Sequence, residues 1–214
     1  MAKCANNHWA LFGGTFDPVH IGHLRTAIGL REAGFSKVLL IPNQVPVHRP
    51  KPKACAQDRL NMLNLACQEL DGIEACAIEL ENNEPSYSAV TVARLKKRHP
   101  EPYFTWVLGQ DAWMGFEHWH NPRALLDNAN LLIISRPQVE TELSCYQQKL
   151  LQERQATLDE LLQSPNGRIA QAHWPMLDIS ASRLRAALSQ GDNIRFLTPD
   201  SVAKYLYQHQ LYSN

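Results

Sequence analysis

Six short runs of apolar, β-branched or aromatic residues recur along this chain: WALFG (9–13), KVLLIP (37–42), IEACAIEL (73–80), YFTWVLG (103–109), NLLIISR (130–136) and RIAQAHW (168–174). Several are continuously apolar, the pattern of strands buried on both faces. Helical periodicity fills the gaps. Residues 24–34 carry Leu24, Ala27, Ile28 and Leu30 on one side, with Gly34 as a C-terminal stop. Residues 57–70 place Leu60, Leu63, Ala66, Cys67 and Leu70 on one face, and 88–99 ends in KKRH, which suits the negative end of a helix dipole. Strand alternating with helix predicts an α/β, Rossmann-like parallel sheet with right-handed crossovers and helices on both faces. Such sheets take ligands beyond the carboxyl ends of their strands, where strand order reverses.

Farther along, residues 145–163 read as a polar helical segment, a solvated insertion. ISASRLRAALSQG and LTPDSVAKYLYQHQLY read as two more helices, the second with Thr198 as N-cap and Pro199 as its first helical residue. They form a C-terminal helical portion over about 176–214. No repeat, low-complexity tract or linker interrupts the 214 residues, so the expectation is a single domain over 1–214.

Lysine plus arginine (21) equals aspartate plus glutamate (21). That balance removes the global basic field expected of a nucleic-acid or anionic-membrane binder, so any phosphate binding must be local. No apolar run reaches the ~20 residues of a membrane span, and the first residues lack a signal-peptide core. Five cysteines, odd in number and without a C-x-x-C pair, read as free thiols in a reducing compartment. The expected location is the cytoplasm.

Local phosphate chemistry is concentrated in GGTFDPVHIGH, residues 13–23. It lies where the first strand turns into the first helix, yet lacks the G-x-G-x-x-G spacing of a dinucleotide-binding oxidoreductase. Gly13 and Gly14 would let the chain turn sharply and a phosphate approach main-chain amides. Asp17 is suited to cap the helix, with Pro18 in its first turn. His20 and His23, at i and i+3, then share a face near the positive end of the helix and can donate N–H groups to a polyphosphate. H-x-x-H is not the i, i+4 spacing of a zinc-binding helix, and no carboxylate stands at a matching offset, although a metal-binding histidine pair remains a rival reading.

GGTFDPVHIGH resembles the G-x-F-D-P-x-H-x-G-H signature of the nucleotidylyltransferase superfamily, and ISASRLR (179–185) resembles its I-S-S-T-x-[IL]-R element. Between them IPNQVPVHRPKP, PSYSAVT, VLGQDAW and FEHWH are similar, in order, to segments of the bacterial nicotinate-mononucleotide adenylyltransferases. The resemblance implies a reaction of ATP with nicotinate mononucleotide, by direct in-line attack on the α-phosphate, with Mg²⁺ delivered by ATP and no protein-held metal. It assigns ATP to Gly13, Gly14, Thr15, Phe16, His20, His23, Ile179, Ser180, Ser182, Arg183 and Arg185, with His20 and His23 catalytic. It assigns the mononucleotide to Asn43, His48, Arg49, Ser88, Ala89, Asp111, Trp119 and His120. Ser182 replaces the family's usual threonine but keeps the hydroxyl, and Arg183 is an extra cation beside the family-matching Arg185. Which arginine holds phosphate, and which of His48, Arg49 and Lys51 meets the mononucleotide, stay open. Sister enzymes that use nicotinamide mononucleotide, phosphopantetheine or CTP are the alternatives. The oligomeric state is not legible.

Overall fold

In the computed structural model, which describes residues 7–45, 51–135, 142–174 and 177–213, every one of these apolar runs contributes a strand to one sheet. The strands are β1 (His8–Gly14), β2 (Lys37–Pro42), β3 (Ile73–Ala75), β4 (Tyr103–Gly109), β5 (Asn130–Ser135) and β6 (Ile169–His173). Their order is β3-β2-β1-β4-β5-β6, and every neighbouring pair is parallel. Strand order therefore reverses between β1 and β4. The chain leaves β1 after Gly14 and β4 after Gly109, side by side at the carboxyl edge.

The two-residue period of a strand divides the core. Ala10, Val38, Leu40, Val107, Leu132, Ile134, Ala170 and Ala172 face one side of the sheet. Leu11, Leu39, Ile41, Phe104, Trp106, Leu108, Leu131 and Ile133 face the other. The first side is covered by α1 (Ile21–Glu32), α2 (Ala56–Cys67), α7 (Leu158–Gln163), α8 (Ala181–Gln190) and α9 (Asp200–Gln208), through residues such as Leu24, Met62, Leu161, Leu184 and Val202. The second is covered by α3 (Ser88–Arg98), α4 (Gln110–Met114), α5 (Pro122–Asn128) and α6 (Cys145–Arg154), through Val92, Trp113 and Leu125 with Leu150 alongside. Each such fully buried side chain contributes about 1.5–3 kcal/mol. Helices on both faces leave only the strand ends open, and that is what directs a ligand to the carboxyl edge.

Several expectations are corrected. The 73–80 run is a strand only to Ala75; a 3₁₀ turn follows at Ala77–Glu81. There Ile78 and Glu79 are buried, and the Glu79 carboxylate accepts a hydrogen bond from Thr91 of α3 at 2.6 Å. Residues 145–163 are not a solvated insertion. They form α6 and α7, joined by a stretch whose Ala156 amide donates to the Ile169 carbonyl of β6. Gln147 is fully buried and donates to the Trp113 carbonyl at 2.6 Å, and Leu161 is buried too. The helix α9 starts one residue later than expected, at Asp200, with Pro199 as its N-cap. Thr198 instead turns its hydroxyl to the Val19 carbonyl, 2.9 Å away. Among the described residues, no helix is long and apolar enough to cross a membrane.

Candidate active site

Gly13 and Gly14 are the last residues of β1, in register with Ile41 and Pro42, and do not make the turn themselves. Phe16, with φ +48°, and the cis Asp17–Pro18 bond do. Gly13 is required for a different reason: a Cβ there would lie 2.6 Å from Cζ2 of Trp106, a buried β4 side chain. The Thr15 hydroxyl is buried and has no hydrogen-bond partner among the described residues, so a ligand at this edge would complete it.

Asp17 and Pro18 also precede α1 rather than starting it. The helix begins at Ile21 behind an extended His20, which is the N-cap. The Asp17 carboxylate has other donors: the amides of Lys53 (2.9 Å) and Ala54 (3.0 Å) and the Tyr212 hydroxyl (2.6 Å). The C-terminal helical portion holds the loop from its other side, since Ile21 N–H donates to the Leu197 carbonyl.

The expected sharing of a face by His20 and His23 is observed. Their rings stack with centroids 3.7 Å apart and planes at 23°. Gly22 makes room for this, because a Cβ on it would sit 3.0 Å from His20 Nδ1. His23 Nδ1 accepts from the His20 backbone N–H at 3.3 Å, so in the neutral ring the proton is on Nε2. Burial holds the His20 pKa down at about 4, so this ring is neutral at pH 7. Two cations stacked about 4 Å apart would repel by about 4 kcal/mol at an effective dielectric of 20. Phe16 meets His23 edge-on at 4.9 Å and is itself buried, so its ring braces the histidine while only its backbone is available to a ligand.

From α8 comes the second cluster. Ser180 caps the helix, accepting from the Arg183 amide at 3.3 Å, and Ile179 lies just before it. Arg185 is half-buried and reaches back to β1's loop, donating Nη1 to the Asp17 carbonyl at 2.6 Å and Nη2 to Ser182 Oγ at 3.3 Å. Arg183 points elsewhere, with its side chain 76% exposed beside Asp178. The two arginines therefore have different surroundings, Arg185 against the loop after β1 and Arg183 out beside Asp178.

On the other flank, hydrogen bonds run from Gly14 towards α3. Asn43 N–H donates to the Gly14 carbonyl at 3.0 Å, and its side chain reaches Glu79 at 3.5 Å. Gln44 N–H donates to Ser86 Oγ at 2.9 Å. Tyr87, the N-cap of α3, stacks on His120 at 4.2 Å, which brings Ser88 and Ala89 beside the segment carrying Trp119 and His120. Trp119 is half-buried against Phe116 at 5.4 Å. Asp111 is exposed in α4, directly after β4. His48 and Arg49 lie outside the described residues; Lys51 is described and exposed.

Sequence reasoning missed Arg59, Glu79 and Tyr212. Arg59 is 1% exposed and donates to the Thr15 (2.9 Å) and Asn43 (2.7 Å) carbonyls, clamping the exits of β1 and β2 together. Burial lowers its pKa from the usual arginine value, with Asp17 opposing, and it stays a cation. Burial likewise pushes Glu79 up, opposed chiefly by its bond from Thr91. A lone charge inside an amphipathic helix reads as solvated. Nothing in the sequence pattern distinguishes these.

The cytidylyltransferase-like family matches residues 11–187 of this chain. A nicotinate-nucleotide adenylyltransferase of Salmonella typhimurium is 40% identical over 207 residues, 95% of this chain and 97% of that one. A probable nicotinate-nucleotide adenylyltransferase of Chromohalobacter salexigens is 37% identical over 208 residues, 95% of each. The fold matches a Plasmodium falciparum nicotinic acid mononucleotide adenylyltransferase complexed with NaAD, with a TM-score of 0.70 at 17% identity over 96% of this chain and 97% of that one.

Proposed function

The chain belongs to the cytidylyltransferase-like family, among its nicotinate-nucleotide adenylyltransferases, and from that premise we propose that it joins ATP to nicotinate mononucleotide, giving nicotinate adenine dinucleotide and pyrophosphate in NAD biosynthesis. The observation that supports this most is the meeting at one loop of the stacked His20–His23 pair with Arg185, 168 residues beyond Asp17. Phosphate donors from both ends of the chain converge where strand order reverses.

A phosphate oxygen of the mononucleotide attacks the α-phosphorus in line, the bond to the bridging oxygen breaks, and pyrophosphate leaves. No residue is covalently modified. His23 Nε2–H meets the charge that grows on the α-phosphoryl oxygens, and neutral His20 donates a second N–H. The β- and γ-phosphates lie against the N-terminus of α8, Ser180, Ser182 and Arg185. Thr15, Phe16 and the two glycines contribute backbone. Asn43, His48 and Arg49 face the acceptor phosphate, and Asp111 its ribose. Trp119 stacks on the pyridine, whose carboxylate accepts from Ser88 and from the amides of Ala89 and His120. Catalysis is then chiefly positioning and charge stabilisation.

Magnesium enters as part of the substrate MgATP. The donor set fits this. Imidazole, guanidinium and amide donors meet at the site, and the Asp17 carboxylate is already occupied by amides and a phenol. Among the described residues, no group of three His, Cys, Asp or Glu side chains stands where it could hold an ion. Phosphate oxygens and water would carry the metal. The proposed catalytic domain spans 1–214 and the proposed location is the cytoplasm, which suits the free thiols of Cys55, Cys67, Cys76 and Cys145.

Pyrophosphate release tests the reading, with ATP or CTP offered beside nicotinate mononucleotide, nicotinamide mononucleotide and phosphopantetheine. Release should require ATP and be fastest with nicotinate mononucleotide. Release only with CTP or only with phosphopantetheine would move the chain to a sister activity.

A further inference from the structure

The Asp17 carboxylate ties together stretches of chain that are distant in sequence. It is 4% exposed. Its Oδ1 accepts from Ala54 N–H (3.0 Å) and the Tyr212 hydroxyl (2.6 Å), and its Oδ2 accepts from Lys53 N–H (2.9 Å). Arg185 Nη1 stands 3.7 Å from Oδ2, beyond hydrogen-bond distance, and donates to the Asp17 carbonyl at 2.6 Å. A buried carboxylate facing an arginine ordinarily closes into a short, two-pronged pair. Here three neutral donors take three of the carboxylate's acceptor sites, and Arg185 stays at ion-pair rather than hydrogen-bond distance.

Tyr212 is the one side-chain hydroxyl among those three donors, and it comes from the tail after α9. The tail folds back to deliver it. Leu211 N–H donates to the Leu206 carbonyl, and Gln210 and Tyr212 take φ values of +49° and +65°, a region non-glycine residues occupy only when held there. Burial, and then the Asp17 carboxylate, push the phenol well above its ordinary pKa, so it remains a donor. Tyr212, Arg185, Ser182, Lys53 and Ser213 line one cavity of about 500 Å³. A phenol at the surface could be satisfied by water; this one is spent on the carboxylate that competes for Arg185.

We propose that Tyr212 is a positioning residue: by occupying the Asp17 carboxylate, its hydroxyl keeps Arg185 from closing onto that carboxylate and leaves the guanidinium turned to the nucleotide phosphates. This rests on the reading of Arg185 as an ATP-phosphate ligand. Removing the hydroxyl strengthens the Asp17–Arg185 pair at the expense of ATP.

Calorimetric titration of the full chain with MgATP tests it, using the unmodified protein, Tyr212→Phe, Arg185→Ala and the double variant, each with its melting temperature. Tyr212→Phe should weaken MgATP about three- to tenfold, the scale of one hydrogen bond acting through a neighbour. In turnover the rise in KM for ATP should exceed the fall in kcat. In the Arg185→Ala background the same change should do nothing further to ATP affinity. A lower melting temperature with unchanged MgATP affinity, or an equal loss of affinity in both backgrounds, would overturn the positioning role. MgATP binding without turnover of nicotinate mononucleotide would instead overturn the proposed reaction, and the Tyr212 comparison would still be readable.

Discussion

Replacing His20 by glutamine should make the protein less sensitive to acid, and the geometry sets the size of the effect. His20 is 6% exposed, and burial holds its pKa at about 4 against 6.5 for the free side chain. Between those two values the unfolded chain binds a proton that the folded chain refuses, so stability falls as pH falls. Well above pH 6.5 both states are neutral and there is no penalty. Near pH 5 the linkage amounts to about 2 kcal/mol, rising to about 3 kcal/mol once the pH is below both values. Glutamine cannot titrate but keeps an amide near the ring's place. Urea unfolding near pH 7.5 and near pH 5 should show the unmodified protein losing about 2 kcal/mol more than His20→Gln. His8, whose pKa burial also lowers, acts in the same direction in both proteins and cancels from the comparison. Equal losses in the two proteins would refute the buried, neutral His20 on which the donor assignment depends.

Gly13→Ala should destabilise the fold by about 1–3 kcal/mol in urea, because its Cβ would enter the buried Trp106 ring. His23→Ala should lower kcat by the equivalent of about 2–4 kcal/mol while MgATP binding, read by calorimetry, changes far less. Equal effects on both would remove its transition-state role. Arg185→Ala should raise the KM for ATP in steady-state assays, whereas Arg183→Ala, exposed beside Asp178, should change it much less. The reverse order would exchange the two arginines.

How much of this was legible follows from what each signal measures. The continuous apolar runs marked buried strands, and their alternation with helices gave the parallel sheet, because both are local patterns. The run at 73–80 misled because its second half turns into a 3₁₀ helix that buries a carboxylate, Glu79, and the partner that makes this burial tolerable, Thr91, lies on another helix. The capping boxes Ser144–Gln147 and Thr157–Glu160 were present in the sequence and would have divided 145–163 into two helices. Asp17 looked like a helix cap since the cap rule sees only neighbours, while its actual donors sit at 53–54 and 212. The histidine pair was readable from spacing alone. The neutral charge of His20, and the division between Arg183 and Arg185, depend on burial and could be read only from the fold.

The choice of acceptor is the most direct test of the proposed reaction. Nicotinate and nicotinamide mononucleotides differ by a carboxylate against an amide of nearly the same shape, so only a site of donors separates them. In the proposed site, Ser88 and Ala89 at the start of α3, joined to His120 through the Tyr87 stack, would supply such a set. With charge-assisted bonds of about 1.5–3 kcal/mol each, the ratio of kcat/KM for nicotinate over nicotinamide mononucleotide should be roughly a hundred or more. A ratio near one, measured with the purified protein, MgATP and each acceptor in turn, would contradict the assignment.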